Sequence, residues 1–494
     1  MKNKKPFTTG SEWTFELLDS YYKEIVRIGK DDLGLDIYPN QIEIISAEQM
    51  LDLYSSIGLP TSYTHWSYGK DFLKNYNGYK RGEMGLAYEI VINTSPCLVY
   101  CMEENTMMMQ ILVMAHAGIG HNAFFKNNYL FKQWTNADSI VDYLVFAKKY
   151  ISECEEKYGI DEVENVLDSC HSLSSYGVDK YKHPKNVSMI DEELRQKERN
   201  EYIESQLNVL WRTIPNIDDP IDINKHTHIG EENILYFIEK NAPNLPIWKR
   251  EIIRIVRKIS QYFYPQKQTQ VSNEGFATFV HYYIMNKLRE ENLIDDGFML
   301  EFFISHTSVV KQLPFDHKYY NGINPYALGF AIFMDIKRIC ENPTQEDKAW
   351  FPDLVGSNWK ETVIFAMKNF KDESFILQYL SPKVMRDLKL FSIKDLESED
   401  DYKIGSIHDD VGYREVKRAL AGQYDITTIE PNIQVHSIDL YGDRSMTLRH
   451  FMINDRYLDT KSTREVLKHI INLWGFNVKL ETVDKNDIVK ALYE

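Results

Sequence analysis

His116 and His121, in the run HAGIGH, are the residues of this chain whose type and spacing point most directly to chemistry. They close an apolar stretch, 107–115, built from Met, Ile, Leu, Val and Ala with one Gln. A buried helix needs no histidines and no paired glycines at its end, so two imidazoles there point to chemistry, a shared metal being one reading. In zinc hydrolases of the H-E-x-x-H type the histidines stand four apart on one helix face, and the Glu beside the first is the general base. Here the spacing is five, and Ala117 occupies the place of the base. Five residues along a straight α-helix rotate the second side chain by about 140° from the first. Gly118 and Gly120 permit the backbone to unwind and bring the imidazoles together. The alternative is a glycine-capped helix C-terminus with a histidine at the negative end of the dipole. That accounts for one histidine but not for both.

A second chemical stretch, NEGFATFVHYYIMNKL at 273–288, places Glu274, Thr278 and His281 at i, i+4 and i+7 on one helix face. The rest of that helix is apolar or aromatic, so its carboxylate and imidazole need partners. Glu274 reads as a third metal ligand, and His281 as a fourth ligand or proton carrier. The plainer alternative is an internal Glu–His pair. Two histidines and a glutamate with an open position make a catalytic zinc set. Zinc, or another divalent transition metal, would lower the pKa of a water there to about 7. The base must then come from elsewhere. Glu104, beside Glu103 at the start of the first helix, is one candidate, though it lies about 18 Å along a straight helix from His116. Its other reading is a favourable charge at the helix N-terminus. Lys126, Asn127 and Asn128 follow His121 closely and could bind a substrate carboxylate or amide, or cap chain ends. Asp168, Cys170 and His171 suggest a ligand or nucleophile, but neighbours in a helix face different sides, which equally fits a core Cys beside a hydrogen-bonded His.

The elements that must position these groups follow from periodicity. Ile90–Val91–Ile92 and Leu98–Val99–Tyr100 flank a Thr94-Ser95-Pro96 break and predict a β-hairpin leading into the His-bearing helix. Helices are predicted over 11–28, from a Ser46/Gln49 capping box, and over 136–158, 163–173, 188–210, 249–263, 273–288, 297–310, 325–338 and 359–380. The aromatic, basic stretch 61–85 reads as a long loop, either a binding lid or packed down by its own rings. Gln266, Gln268 and Gln270 alternate as in an extended segment. Residues 212–231 lack periodicity and read as a mobile loop, with His226 and His228 in solvent. The acidic run 395–401 marks a boundary. Beyond it a helix over 411–423, strands over 433–438 and 446–451, a helix over 463–473 and a strand over 475–480 predict a small α+β tail. The fold class is therefore mainly α (α+β): a helical core domain over 1–394, with a zincin-like layout open to it, and a C-terminal α+β domain over 405–494. Such a tail docks, dimerises or regulates more readily than it catalyses.

Composition narrows the classes further. Across 494 residues, 43% are hydrophobic and 13% aromatic, enough for a large core. A net charge of −16 argues against a general nucleic-acid binder. Five cysteines without a C-x-x-C pair fit reduced thiols and a cytoplasmic location. The start MKNKKPFTTGSEW has no apolar core of a signal peptide, and no run reaches the ~18 apolar residues of a membrane span.

Taken in order, the chain holds a series of long and particular words. They include WTFELL at 13–18, YPNQIEII at 38–45, THWSYGK at 64–70 and YEIVINTSPCLVYCMEEN at 88–105. They continue with HAGIGHNAFFKNN at 116–128, LDSCHSLSSYGVDKY at 167–181, YFYPQKQTQVSNEGFATFVHY at 262–282, HTSVV at 306–310, NPYALG at 324–329, YLSPKVMRD at 379–387 and LWGF at 473–476. Together these words resemble the SpoVR family, the stage V sporulation protein R-like proteins of bacteria, over nearly the whole chain, with a soft departure at Phe276, where Trp is expected. The resemblance implies a role linked to spore cortex formation, or to stress in bacteria that make no spores. It also implies a serine protein kinase, often encoded nearby, as a partner. It supplies no reaction. Two readings remain open: a metal-dependent hydrolase of amide or peptide bonds in cell-wall material, and a non-enzymatic regulatory protein acting with that kinase.

Overall fold

Apolar residues spaced three and four apart set the frame around the histidines. Leu18, Tyr21 and Ile25 form the buried stripe of α1 (Phe15–Arg27), whose start is capped by Thr14 accepting from the Leu17 amide. The computed structural model describes residues 5–56, 62–81, 88–181, 230–394, 403–406, 408–439, 442–453 and 455–494. The chain divides into two units, Met1–Asn165 with Gln261–Glu430, and Val166–Ser260 with Pro431–Glu494. The expected helix over 188–210, most of the loop 212–231 with His226 and His228, and the acidic run 395–401 lie outside the described residues.

In the first unit, β1 (Asn40–Ile45), β2 (Glu89–Ile92) and β3 (Cys97–Met102) form a sheet in the order β1-β3-β2. β1 runs parallel to β3, and β2 antiparallel to it. The central strand β3 is buried on both faces, which is why it reads as an unbroken apolar run rather than an alternating one. The parallel pairing requires a crossover, supplied by α2 (Ala47–Ser55) and α3 (Trp66–Lys80). α3 occupies much of the stretch expected as a loop. No residue of it is fully buried, but Lys70 lies over Trp66, Phe72 stacks on Tyr76 and Lys80 lies over Tyr76, all four residues apart. Such pairs favour a helix that composition alone does not announce.

From β3 the chain enters α4 (Met107–Ala115), buried at every position, then a π turn over His116–His121, then α5 (Asn122–Asn127). Packed against this run is α6 (Gln270–Glu290), followed by α7 (Asp296–Val309) and α8 (Pro325–Glu341). α6 and α8 cross at two glycines: a Cβ on Gly275 would lie 2.3 Å from the Gly329 Cα. Around that crossing Phe276, Phe333 and Phe375 pack ring to ring. The glutamine run expected as extended instead ends one helix at Lys267 and opens α6 at Gln270.

The second unit holds a four-stranded sheet: β4 (Asn432–Ile438), β5 (Met446–Phe451), β6 (Val478–Val483) and β7 (Val489–Tyr493), in that order. β5 and β6 are parallel and joined by α9 (Thr460–Trp474), which ends at Gly475 with φ 86°. The last strand, β7, is not in the sequence reading: its VKALY is mostly exposed and shows no buried alternation, although the turn ahead of it is closed by Asp484, which accepts from the Asn486 and Ile488 amides. The fold is mainly α with small sheets, including a C-terminal α+β part. Among the described residues, no helix is long and apolar enough to cross a membrane.

Candidate metal centre

The π turn resolves the five-residue spacing. Its backbone bonds run from i to i+5, so residues five apart share a face. The His116 and His121 rings meet edge to face with centroids 4.6 Å apart. The turn is held where it is by neighbours that accept only glycine or a small amide. A Cβ on Gly120 would lie 2.6 Å from the Ala277 Cα of α6. On the other side, Asn40 donates to the Gly118 carbonyl at 2.7 Å, and Asn122 donates to the Asn40 amide oxygen at 2.7 Å.

α6 brings Glu274 to the same point. Its start is fixed by the buried Asp372, which accepts from the amides of Val271 and Ser272 and from the Ser272 hydroxyl, each at 2.8 Å. One turn later the Glu274 Oε2 lies 3.4 Å from the His121 Nε2 and 3.6 Å from the His116 Nε2. This oxygen is buried and accepts no hydrogen bond. Three ligand atoms about 2.0–2.1 Å from a tetrahedral ion would lie roughly 3.4 Å apart. His116, His121 and Glu274 could hold a metal ion. The remaining nitrogen of each histidine is also engaged: the His121 Nδ1 lies 2.9 Å from the Asn273 Oδ1, and the His116 Nδ1 lies 2.9 Å from the His281 Nδ1.

Electrostatics agree with a cation site. Burial alone would raise the Glu274 carboxyl, but His121 and His116 outweigh it and hold it well below the usual carboxylate range. Burial alone would lower His121, but the Glu274 carboxylate raises it. A second carboxylate, Glu89 on β2, faces the His116 Nε2 at 3.8 Å. Burial pushes it up, His116 and His121 partly counter that, and Glu274 adds to it. Tyr326, in the first turn of α8, is kept protonated by burial and by the adjacent Glu274, and its ring stacks near His116.

A family model described as SpoVR like protein matches residues 12–429, and a second, SpoVR-like C-terminal domain, matches 431–485. The chain belongs to the SpoVR family. A family relative, the Uncharacterized protein YcgB of Escherichia coli (strain K12), is 56% identical over 494 residues, covering 99% of this chain and 96% of the relative. No solved structure matches.

In this SpoVR-family chain the remaining candidates, His281 apart, lie away from these three ligands. Glu104 is exposed in the turn before α4, a whole helix away from His116, and is not brought to the cluster. Lys126 pairs with Asp36 at 2.6 Å and donates to the Ile37 carbonyl. Asn127 donates to the carbonyls of Asp36 and Ala123. Asn128 donates to the carbonyls of Met367 and Phe370 and caps the helix that follows by accepting from the Leu130 amide. The Lys126 amine is thus held by a carboxylate and a backbone carbonyl, and the two amide groups by backbone carbonyls. His281 turns one ring nitrogen to His116 and the other to His306, at 3.0 Å, so neither is open as a fourth ligand. Cys170 is fully buried, and burial pushes its thiol up. Glu89, Asn273, His306 and Tyr326 were not singled out from sequence. The first sits in a strand that reads as purely structural, and His306 reads as a helix end.

Proposed function

We propose that the protein is a metal-dependent hydrolase of amide or peptide bonds, with His116, His121 and Glu274 as ligands. The observation that carries this reading is the convergence of two imidazole nitrogens on a buried carboxylate oxygen that has no hydrogen-bond partner. A divalent ion there, zinc being the best match to the donor set, would polarise a carbonyl and lower the pKa of a water to about 7. Glu89 supplies the carboxylate that position 117 lacks: it faces the ligands from β2 and takes the proton of the attacking water, then returns it to the leaving nitrogen. Tyr326 contributes a hydroxyl donor on the Glu274 side of the centre. The family's link to spore cortex points to cell-wall amides as the first substrate class to assay.

Elemental analysis of the purified chain is the direct test. About one zinc or other transition metal per chain, reduced below a tenth in His121→Ala and in Glu274→Ala, is the expected result. Full occupancy in a double variant would remove the site. Chelation is expected to abolish activity on amide substrates and added metal to restore it. The near-complete burial of both histidines, each 5% exposed, favours a second reading, a structural metal centre in a regulatory partner of a serine protein kinase. Metal bound stoichiometrically, with no turnover of amide substrates by the wild type, would select that second reading.

A further inference from the structure

His116 ends a chain of three imidazoles contributed by three separate helical segments. Its Nδ1 meets the His281 Nδ1 at 2.9 Å, and the His281 Nε2 meets the His306 Nδ1 at 3.0 Å. His281 is 4% exposed and His306 5%, so water does not compete for these nitrogens. The rings are clamped from the side. His281 lies edge-on to Phe302, while His306 is packed among Phe302, Tyr282 and Phe330. A hydrogen bond between two imidazoles needs one protonated and one bare nitrogen, so each contact fixes the tautomer of the next ring. If His116 keeps Nε2 bare for a metal, its Nδ1–H donates to His281. The His281 proton then sits on Nε2 and donates to His306.

We propose that His281 and His306 are positioning residues that fix the tautomer and ring plane of His116, aiming its Nε2 at the metal. Asn273 does the same for His121 through a single side chain: the His121 Nδ1–H donates to the amide oxygen at 2.9 Å. The two ligands of one π turn are thus oriented from outside by α6, through neighbours at 273 and 281. The His116 arm alone extends a step further, into α7. Ligand-orienting groups of this kind change metal affinity by about 10–100-fold when removed.

This inference rests on the metal-centre reading, and cobalt separates the two. The full chain is stripped with chelator and titrated with Co²⁺, recording the visible d–d bands and the affinity. Uptake of about one Co²⁺ by the wild type is expected, with His281→Phe weakening it by about 10–100-fold and shifting the bands. His281→Gln, which keeps an amide at the same place, restores part of the affinity. His306→Leu weakens it less, and the His281→Phe/His306→Leu double variant is no weaker than His281→Phe alone, because the outer ring acts only through the inner one. Equal affinity and unchanged bands in His281→Phe overturn the positioning role while leaving the centre intact. No Co²⁺ uptake by the wild type removes the centre itself, and the positioning role with it. If His281→Phe does not fold, His306→Leu carries the test: unchanged affinity and bands in that variant overturn the proposal.

Discussion

Gly120 and Gly118 sit two residues apart in the same π turn, yet a methyl group meets different matter at each. At 120 it would lie 2.6 Å from the Ala277 Cα, part of a helix backbone that cannot yield without moving Glu274 three residues away. At 118 it would lie 3.2 Å from the Asn40 Nδ2, a milder approach that a side-chain shift of a few tenths of an ångström relieves without moving a helix backbone. Gly120→Ala is therefore expected to cost about 1–3 kcal/mol, the usual range for an overpacked core, and to weaken metal binding as well. Gly118→Ala is expected to cost less and to leave the metal in place. Urea midpoints and zinc titrations of the two variants check this, and equal losses in both would contradict it. Glu89 allows a second comparison. Glu89→Gln keeps the shape beside His116 but cannot take a proton, so metal content is expected to stay near wild type while turnover falls by about 10²–10⁴-fold.

The helix α8 carries both Tyr326 and Gly329 to the site, and it is anchored at its far end by a buried ion pair. Arg338 donates through both terminal nitrogens to Asp347, at 2.7 and 2.8 Å, and through Nε to Asp335 at 2.7 Å. Burial alone would raise the Asp347 carboxyl, but Arg338 and Thr344 bring it down to about 2 from an ordinary 3.8. A carboxyl lowered on folding adds stability that is present above its unfolded value and lost as pH falls through the folded one. Asp347→Asn is thus expected to cost about 2 kcal/mol near pH 7, and the gap to wild type is expected to close as pH drops from about 4 toward 2. Denaturant midpoints across that range test the sign, and a gap that widens on acidification would refute it. Such pairings also show why the site was only partly legible in sequence. The histidine pair, the glycines that let it unwind and Glu274 on its own helix face were readable because each lies within a local period. That the unwinding takes the form of a π turn follows from α6 pressing on Gly120, which no window around 120 contains. Glu89 and His306 were hidden for the same reason. One lies in a strand and the other at a helix end, and each reaches the centre only through tertiary packing.

The second unit draws on two distant parts of the chain, and its C-terminal sheet depends on the earlier one for specific contacts. The Val435 amide of β4 donates to the Glu231 carbonyl at 2.9 Å, extending the sheet by one bridge. The Trp474 ring at the end of α9 packs near Phe237, with centroids 6.0 Å apart. From the same helix Asn472 donates to the Ser169 hydroxyl at 3.0 Å, and His469 lies 3.2 Å from it. Hydrogen bonds of this kind contribute about 1 kcal/mol each, and an aromatic pair about as much. A fragment spanning 405–494 holds all four strands of the sheet and α9, and it is expected to fold as a small α+β domain. Without 166–260 it leaves the Trp474 face and the β4 edge uncovered. Adding 166–260 in trans is then expected to raise its melting temperature by about 10 °C or more, since 1 kcal/mol shifts a domain of this size by roughly 4–8 °C. Melting of the fragment with and without its complement, followed by circular dichroism, decides the matter. An unchanged midpoint at saturating complement would mean that the sheet stands alone. A fragment with no cooperative melt even in the complex would mean that the strands need more of the chain than this unit contains.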